Sequence, residues 1–288
     1  MLFFTKKGKC HWMRVYEIPE GSKASKGRAI QNLMNLESDD KIHAFICTQD
    51  LKDEEYVNSH YVLMATKKGQ VKKTSLEQYS RPRTNGINAI TIKDGDELLS
   101  ASLTKGDSEV MLALKSGKAI RFEESKTRPM GRTAAGVRGI TLGNKNDEVV
   151  GMIIVNNPQE ETVLVVSENG YGKRTFIGDP ETGDQIYRQT NRGGKGVKTI
   201  SVTEKTGNLV SMKSVTDQDD LMIIKKSGVA IRMSMDELRT MGRATQGVKL
   251  INIKDGDAIA AVAKVMVEED DDDEIEFKNT DENEEKEN

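Results

Sequence analysis

The chain has 288 residues, 31% charged and 36% hydrophobic, with a net charge of −3 at pH 7 and two cysteines. Two cysteines are too few for a disulfide framework and fit a reducing, cytoplasmic setting. No run approaches the roughly 18 apolar residues of a membrane helix, and the opening MLFFTKKGK lacks the layout of a secretory signal. The net charge conceals a division. Residues 268–288 carry 13 acids against 2 lysines, a net of −11, and removing them from the overall −3 leaves residues 1–267 at +8. We therefore expect a folded, basic body over 1–267 that attracts a polyanion, and an acidic tail over 268–288 too charged to fold.

In chain order, the first predicted element is a strand pair around Gly8 (TKKGKCHWMRV). It is followed by a run opened by Gly27 (SKGRAIQNL) and a strand over Lys41–Thr48. The same text returns four times. Tyr61–Thr66 turns at Gly69 into Gln70–Leu76, Gly86 opens TNGINAITI, and Glu97–Leu103 closes the unit. Glu109–Leu114, Gly117, Ala119–Glu123, Gly136 (AAGVRGITL) and Glu148–Val155 make the third unit. Thr162–Val166, Gly170, Gly196 (GKGVKTISV) and Leu209–Val215 make the fourth; Leu221–Ile224, Gly228, Val229–Met235, Gly247 (TQGVKLINI) and Ala258–Val267 make the fifth. Leu76–Tyr79 and Met235–Arg239 are predicted as single helical turns inside the loops. The spacing from first to second glycine is 19, 17, 19, 26 and 19 residues, so the fourth unit carries an insertion, Gly178–Gln189.

A period of about 50 residues marks a repeat architecture. Apolar runs of strand length, bounded by Gly or Asn/Asp/Ser turns, make each unit a small four-stranded sheet. One such sheet is barely stable alone. Five packed side by side would bury a continuous core, and an all-β, propeller-like ring also protects the strand edges. A linear β-solenoid is the alternative.

The repeat multiplies cations. The hairpins hold Lys6 and Lys7; Lys67, Lys68, Lys72 and Lys73; Lys115 and Lys118; Lys173 and Arg174; Lys225 and Lys226. The second-glycine loops hold Lys26 and Arg28; Arg81 and Arg83; Arg128, Arg132 and Arg138; Arg188, Arg192, Lys195 and Lys198; Arg239, Arg243 and Lys249. Arginine presents a rigid fork to phosphate oxygens and lysine a mobile point charge, and neighbouring glycines such as Gly193, Gly194 and Gly196 let backbone N–H groups approach a phosphate. Equivalent loops on one rim would form a curved positive track. With 5% aromatic residues and no repeated aromatic pair, a stacking platform for single strands is not expected, and no recognition helix appears. The expected ligand is duplex DNA, held through its phosphates. Catalysis finds little support. His11, His43 and His60 have no metal-ligand spacing, and Arg192–Gly196 (RGGKG) lacks the rest of a phosphate-loop pattern.

Several segments resemble one family, the C-terminal domain of bacterial DNA gyrase A: LFFTKKG (2–8), VYEIPE (15–20), KGRAIQNL (26–33), RTAAGVRGITL (132–142) and MGRATQGVKL (241–250). The resemblance extends over residues 1–267. It implies a β-pinwheel of six four-stranded blades, a hairpin-swapped relative of the propeller, that wraps duplex DNA around a basic perimeter in support of ATP-driven negative supercoiling. It also implies partners, the catalytic region of gyrase A together with gyrase B in an A2B2 holoenzyme. No cofactor or metal is expected in this chain, since ATP and Mg would serve other parts of that holoenzyme, and no catalytic residue is expected either. Residues 189–196 are similar to the family's signature Q-R-R-G-G-K-G but interpose Thr190 and Asn191 and lie in the fourth unit. They are read as a box-like DNA-contact loop. Five units and a start within a strand predict that the family's first blade is not among these residues. The related C-terminal domain of topoisomerase IV and a protein-interaction propeller are the alternatives.

Overall fold

In a computed structural model, which describes residues 1–21, 27–254 and 256–266, the repeats become five antiparallel sheets in a propeller-like pinwheel. Lys26 and the acidic tail lie outside the described residues. Each sheet begins with a hairpin across the first glycine: Leu2–Thr5 with Lys9–Trp12, Tyr61–Thr66 with Gln70–Ser75, Glu109–Leu114 with Lys118–Glu123, Thr162–Ser167 with Tyr171–Phe176, and Asp219–Lys225 with Ala230–Ser234. A strand near each unit's end pairs with the first hairpin strand: Ile42–Ile46, Leu98–Thr104, Val149–Val155, Leu209–Val215 and Ile259–Met266. These five pack against one another in succession and form the hub.

The remaining strand departs from the self-contained four-stranded units read from the repeat and follows the hairpin-swapped pinwheel that the resemblance implies. The run opened by the second glycine does not join its own unit's sheet. It crosses to the preceding one: Ile87–Asn88 pairs with the hairpin of blade 1, Val137–Arg138 with blade 2, Val197–Lys198 with blade 3 and Val248–Lys249 with blade 4. Each blade's outer edge is thus supplied by the next unit. The fifth sheet, formed by its own unit's strands alone, has three strands. The equivalent run in the first unit forms a 3-10 turn at Ile30–Asn32.

Glycine is required at both marked positions. At Gly8 (φ +85°) a Cβ would lie 2.5 Å from the Ile90 carbonyl oxygen, and at Gly196 (φ +70°) it would lie 2.6 Å from that of Ala119. The close approach serves a bond that repeats. The turn-glycine carbonyls of Gly8, Gly69, Gly117 and Gly170 accept from the crossing runs at Ala89, Gly139, Thr199 and Leu250, each at 2.8 Å. The turns are capped by an acid of the same unit: Asp40, Asp96, Asp147 and Asp257 accept from the backbone N–H groups of Lys7, Lys68, Ser116 and Ser227.

The core lies between blades. Leu2 and Phe4 meet Val62 and Met64; Leu63 and Ala65 meet Val110 and Leu112; Met111 and Ala113 meet Val163 and Val165; Leu164 and Val166 meet Leu221 and Ile223. The first hairpin strands of the middle blades are therefore buried on both faces. This explains runs such as Tyr61–Thr66 that are apolar without alternation, and each fully buried aliphatic side chain contributes about 1.5–3 kcal/mol. Leu76–Tyr79 is a 3-10 turn as predicted, while Met235–Arg239 is an irregular turn. A short helix at Glu54–Ser59, capped by Asp53 accepting from Tyr56 N–H at 3.1 Å, was not expected. Among the described residues no helix is long and apolar enough to cross a membrane.

Candidate nucleic-acid interface

The folded chain sorts its cations into three rows. The first lies at the hairpin turns and is matched by carboxylates. Glu97 bridges Lys6 of blade 1 and Lys67 of blade 2, at 2.7 and 2.8 Å, and these two ammonium groups hold its carboxyl down at about 2. Lys7 pairs with Glu37 and Asp39, Lys115 with Glu148, and Lys225 with Asp257. Lys68 and Lys226 of this row are exposed.

The second row is buried and corrects the sequence reading. Lys72, Lys73, Lys173 and Arg174, expected as DNA contacts, are 0%, 5%, 0% and 6% exposed. They sit three and four residues after the turn glycine, where the second hairpin strand runs beneath the next unit's loop. Lys72 Nζ donates to the carbonyls of Ala89 and Arg132, and Lys173 Nζ to those of Gly242 and Arg243. Burial, with Arg132 nearby, pushes Lys72 down to about 7. Burial, with Arg243 and Lys198, pushes Lys173 down to about 8. At the fourth position Lys73 pairs with the buried Glu124, and Arg174 with Asp217 and the Leu238 carbonyl. Arg121 makes the same kind of link, to Glu109 and the Tyr187 carbonyl, and in blade 1 Trp12 Nε1 donates to the Tyr79 carbonyl at 2.9 Å. The row fastens each blade to the loop of the next.

The third row follows the outer edge. The loop before each second glycine lies against the preceding blade and hydrogen-bonds to the end of that blade unit's own crossing run. Thr91 N–H donates to the Ala134 carbonyl, Thr141 N–H to that of Gly194 and Ser201 N–H to that of Thr245. Loop and crossing strand thereby alternate in one belt from Arg81 to Lys249. Arg192 Nη1 donates to the Arg138 carbonyl and Arg243 Nη1 to the Lys198 carbonyl, so these half-buried arginines tie the belt together. Arg81, Arg83, Arg128, Arg138, Arg188, Lys195, Lys198, Arg239 and Lys249 on the belt are exposed. Among the described residues none of the belt's cations forms an ion pair; the pairs present belong to the other rows and to Lys9, Lys126, Arg232 and Lys264. Arg132 is half-buried on the belt, and Arg28 is exposed on the coil of the first unit. The box-like loop takes its place in the belt: Gly193 (φ +85°) donates to the Gly139 carbonyl at 2.6 Å, and its own carbonyl accepts from the Thr141 hydroxyl. The anchoring hydroxyl residues Thr91, Thr141 and Ser201 were missed as functional positions, although the strings AIT, GIT and TIS carried them.

The comparisons with known proteins agree with this geometry. The family model described as the DNA gyrase C-terminal domain, beta-propeller, matches residues 1–49, 60–105, 109–156, 161–175, 187–216 and 219–266. The chain belongs to this gyrase C-terminal domain family. The DNA gyrase A protein of Staphylococcus epidermidis (strain ATCC 12228) is 44% identical over 270 residues, 94% of this chain and 29% of that protein. Its counterpart in Staphylococcus aureus (strain MRSA252) is 43% identical over 276 residues, 96% of this chain and 30% of that protein. The chain thus spans under a third of the length of these relatives. Among solved structures, a C-terminal domain of DNA topoisomerase IV superposes with a TM-score of 0.79 at 24% identity, covering 92% of this chain and 78% of that one. A gyrase A C-terminal domain superposes at 0.75 and 25% identity, covering 92% and 82%. The pinwheel expected from the sequence is the fold of this family.

Proposed function

We propose that the chain binds duplex DNA along the outer belt and bends it around the pinwheel, without catalysis of its own, in support of negative supercoiling by an ATP-dependent type II topoisomerase. The observation that carries this reading is the belt itself. It is a continuous outer edge whose cations have no carboxylate partners among the described residues, beside a turn row whose cations mostly do. Uncompensated charge on a rigid, curved edge suits a phosphate backbone and carries no base-reading element. Bending 20–30 bp by 40–90° costs about 1–6 kcal/mol, which phosphate contacts from several blades offset. The rest of the proposal extends the family membership beyond this chain: the catalytic region of gyrase A and gyrase B as partners in an A2B2 assembly, in the cytoplasm, with ATP and Mg used outside these residues.

Closure of a nicked plasmid by ligase in the presence of the protein tests the bend. A shift in linking number is expected, and closure without a shift would leave binding but remove wrapping. A salt titration tests the binding: affinity should fall with a slope of about −0.9 per phosphate neutralised. Deleting residues 268–288 should strengthen binding at low salt and matter little at high salt, since an acidic segment competes for the same belt and is screened; unchanged low-salt affinity would remove the tail from the account.

A further inference from the structure

The belt is not uniform. Four blades receive a crossing strand, and in each one residue of that strand stands directly opposite a hairpin residue at the outer edge. The pairs are Lys9 with Asn88, Gln70 with Arg138, Lys118 with Lys198, and Tyr171 with Lys249. Three of these offer a single cation, and in blade 1 that cation, Lys9, is bound by Glu37 at 2.5 Å. Blade 3 alone among them sets two lysines face to face. Both are exposed, and neither has an ion-pair partner among the described residues.

Like charges directly opposite on antiparallel strands destabilise a sheet. Here the strand cannot swing away to relieve them. Thr199 N–H, next to Lys198, is bonded to the Gly117 carbonyl at 2.8 Å, and the Lys198 carbonyl accepts from Arg243 Nη1 at 2.7 Å. Their chain neighbours Ala119 and Val197 line, with the box-like loop, a cavity of about 270 Å³ that has Arg188 and Lys195 at its wall and that neither lysine lines. The repulsion is therefore held in place by the fold, and an anion between the two ammonium groups would remove it.

Resting on the DNA-binding reading above, we propose that the Lys118–Lys198 pair is the dominant phosphate grip of the belt, the point that fixes where the duplex path is held most tightly. Two lysines pinched by the ladder bind one phosphate together, whereas Arg138 and Lys249 each meet a phosphate singly. Because the pair is strained in the free protein, part of its binding comes from relief of that repulsion.

The test compares K118Q, K198Q, R138Q and K249Q in the full chain, by binding to a linear duplex across salt concentrations and by thermal unfolding without DNA. K118Q and K198Q should each weaken binding about tenfold, the scale of a lost charge-assisted hydrogen bond, with a smaller effect from R138Q or K249Q. K118Q should also raise the unfolding midpoint. A loss no larger than that of R138Q, or an unfolding midpoint that stays or falls, overturns the proposal while leaving DNA binding intact. If the unaltered chain fails to bind duplex DNA, the binding reading falls first, and a raised midpoint in K118Q would still report the repulsion.

Discussion

The turn row and the outer belt use the same residue types to opposite ends. At the turns four of the five units supply a lysine and, farther along the same unit, an acid that meets it. Glu97 serves two blades at once through Lys6 and Lys67. On the belt the cations are as regular in sequence, yet no described carboxylate meets them. The difference lies in where the chain goes after each cation. The hub strand that closes a unit starts beside that unit's own turn and brings its acid there, as Glu97 meets Lys67 and Glu148 meets Lys115, whereas the belt loop leads into a crossing strand that lies against the neighbouring blade, where the facing groups are carbonyls and other cations. The proposed DNA path is therefore drawn from charge without a returning partner and not from charge frequency.

The largest test of that contrast removes belt charge outright. Replacing Arg138, Lys198 and Lys249 together by Gln should weaken duplex binding by about 100-fold or more at low salt, with the salt slope reduced by about 0.9 for each phosphate no longer neutralised. Replacing Lys7 and Lys115 in the turn row, whose charges carboxylates already meet, should cost about threefold or less. Binding isotherms at several salt concentrations measure both. Equal effects from the two sets would erase the distinction between the rows.

The next effect is on stability. Arg121 is buried against Glu109 and reaches the Tyr187 carbonyl at 2.8 Å. Arg121→Met leaves a partly buried carboxylate without its cation and the Tyr187 carbonyl without this donor, so the chain should lose about 3 kcal/mol in urea unfolding, while DNA affinity of the folded protein changes little. A variant as stable as the parent but deficient in DNA binding would move Arg121 from the fastening row to the interface.

Much of this was legible in the sequence. The five units and their turn glycines were readable because a tight turn with positive φ has few solutions, and each unit repeats one. The hub strands were placed within a residue or two because both ends are punctuated. The exchange of outer strands came only from the family resemblance and not from the repeat itself, since Ile87 finds Cys10 across the length of a whole unit, and nothing local prefers that partner to a strand of its own unit. The buried cations were misplaced for a related reason. Lys72 and Lys173 look like surface residues until the loop of the following unit covers them, and only the periodicity hinted otherwise: Ile120 and Ile231 stand at the same distance from their turn glycines. A lysine that alternates with isoleucine across repeats marks a covered position.

The covered lysines supply the last of the expected effects, and it is read by pH alone. Lys72 is enclosed, with two carbonyls as acceptors and Arg132 as the facing charge; Lys173 has Arg243 and Lys198 facing it. Their folded values, about 7 and about 8, lie below the 10.5 of an open lysine. Between those limits the unfolded chain binds protons that the folded chain does not, so stability rises with pH across that window, by at most about 1.4 kcal/mol per pH unit for each group. Below pH 7 both states are protonated and the slope vanishes. Urea unfolding at pH 7, 8 and 9 should show the rise, and Lys72→Met combined with Lys173→Met should flatten it. A rise that persists in the double variant would assign it to other groups and return the two buried lysines to the charged rows.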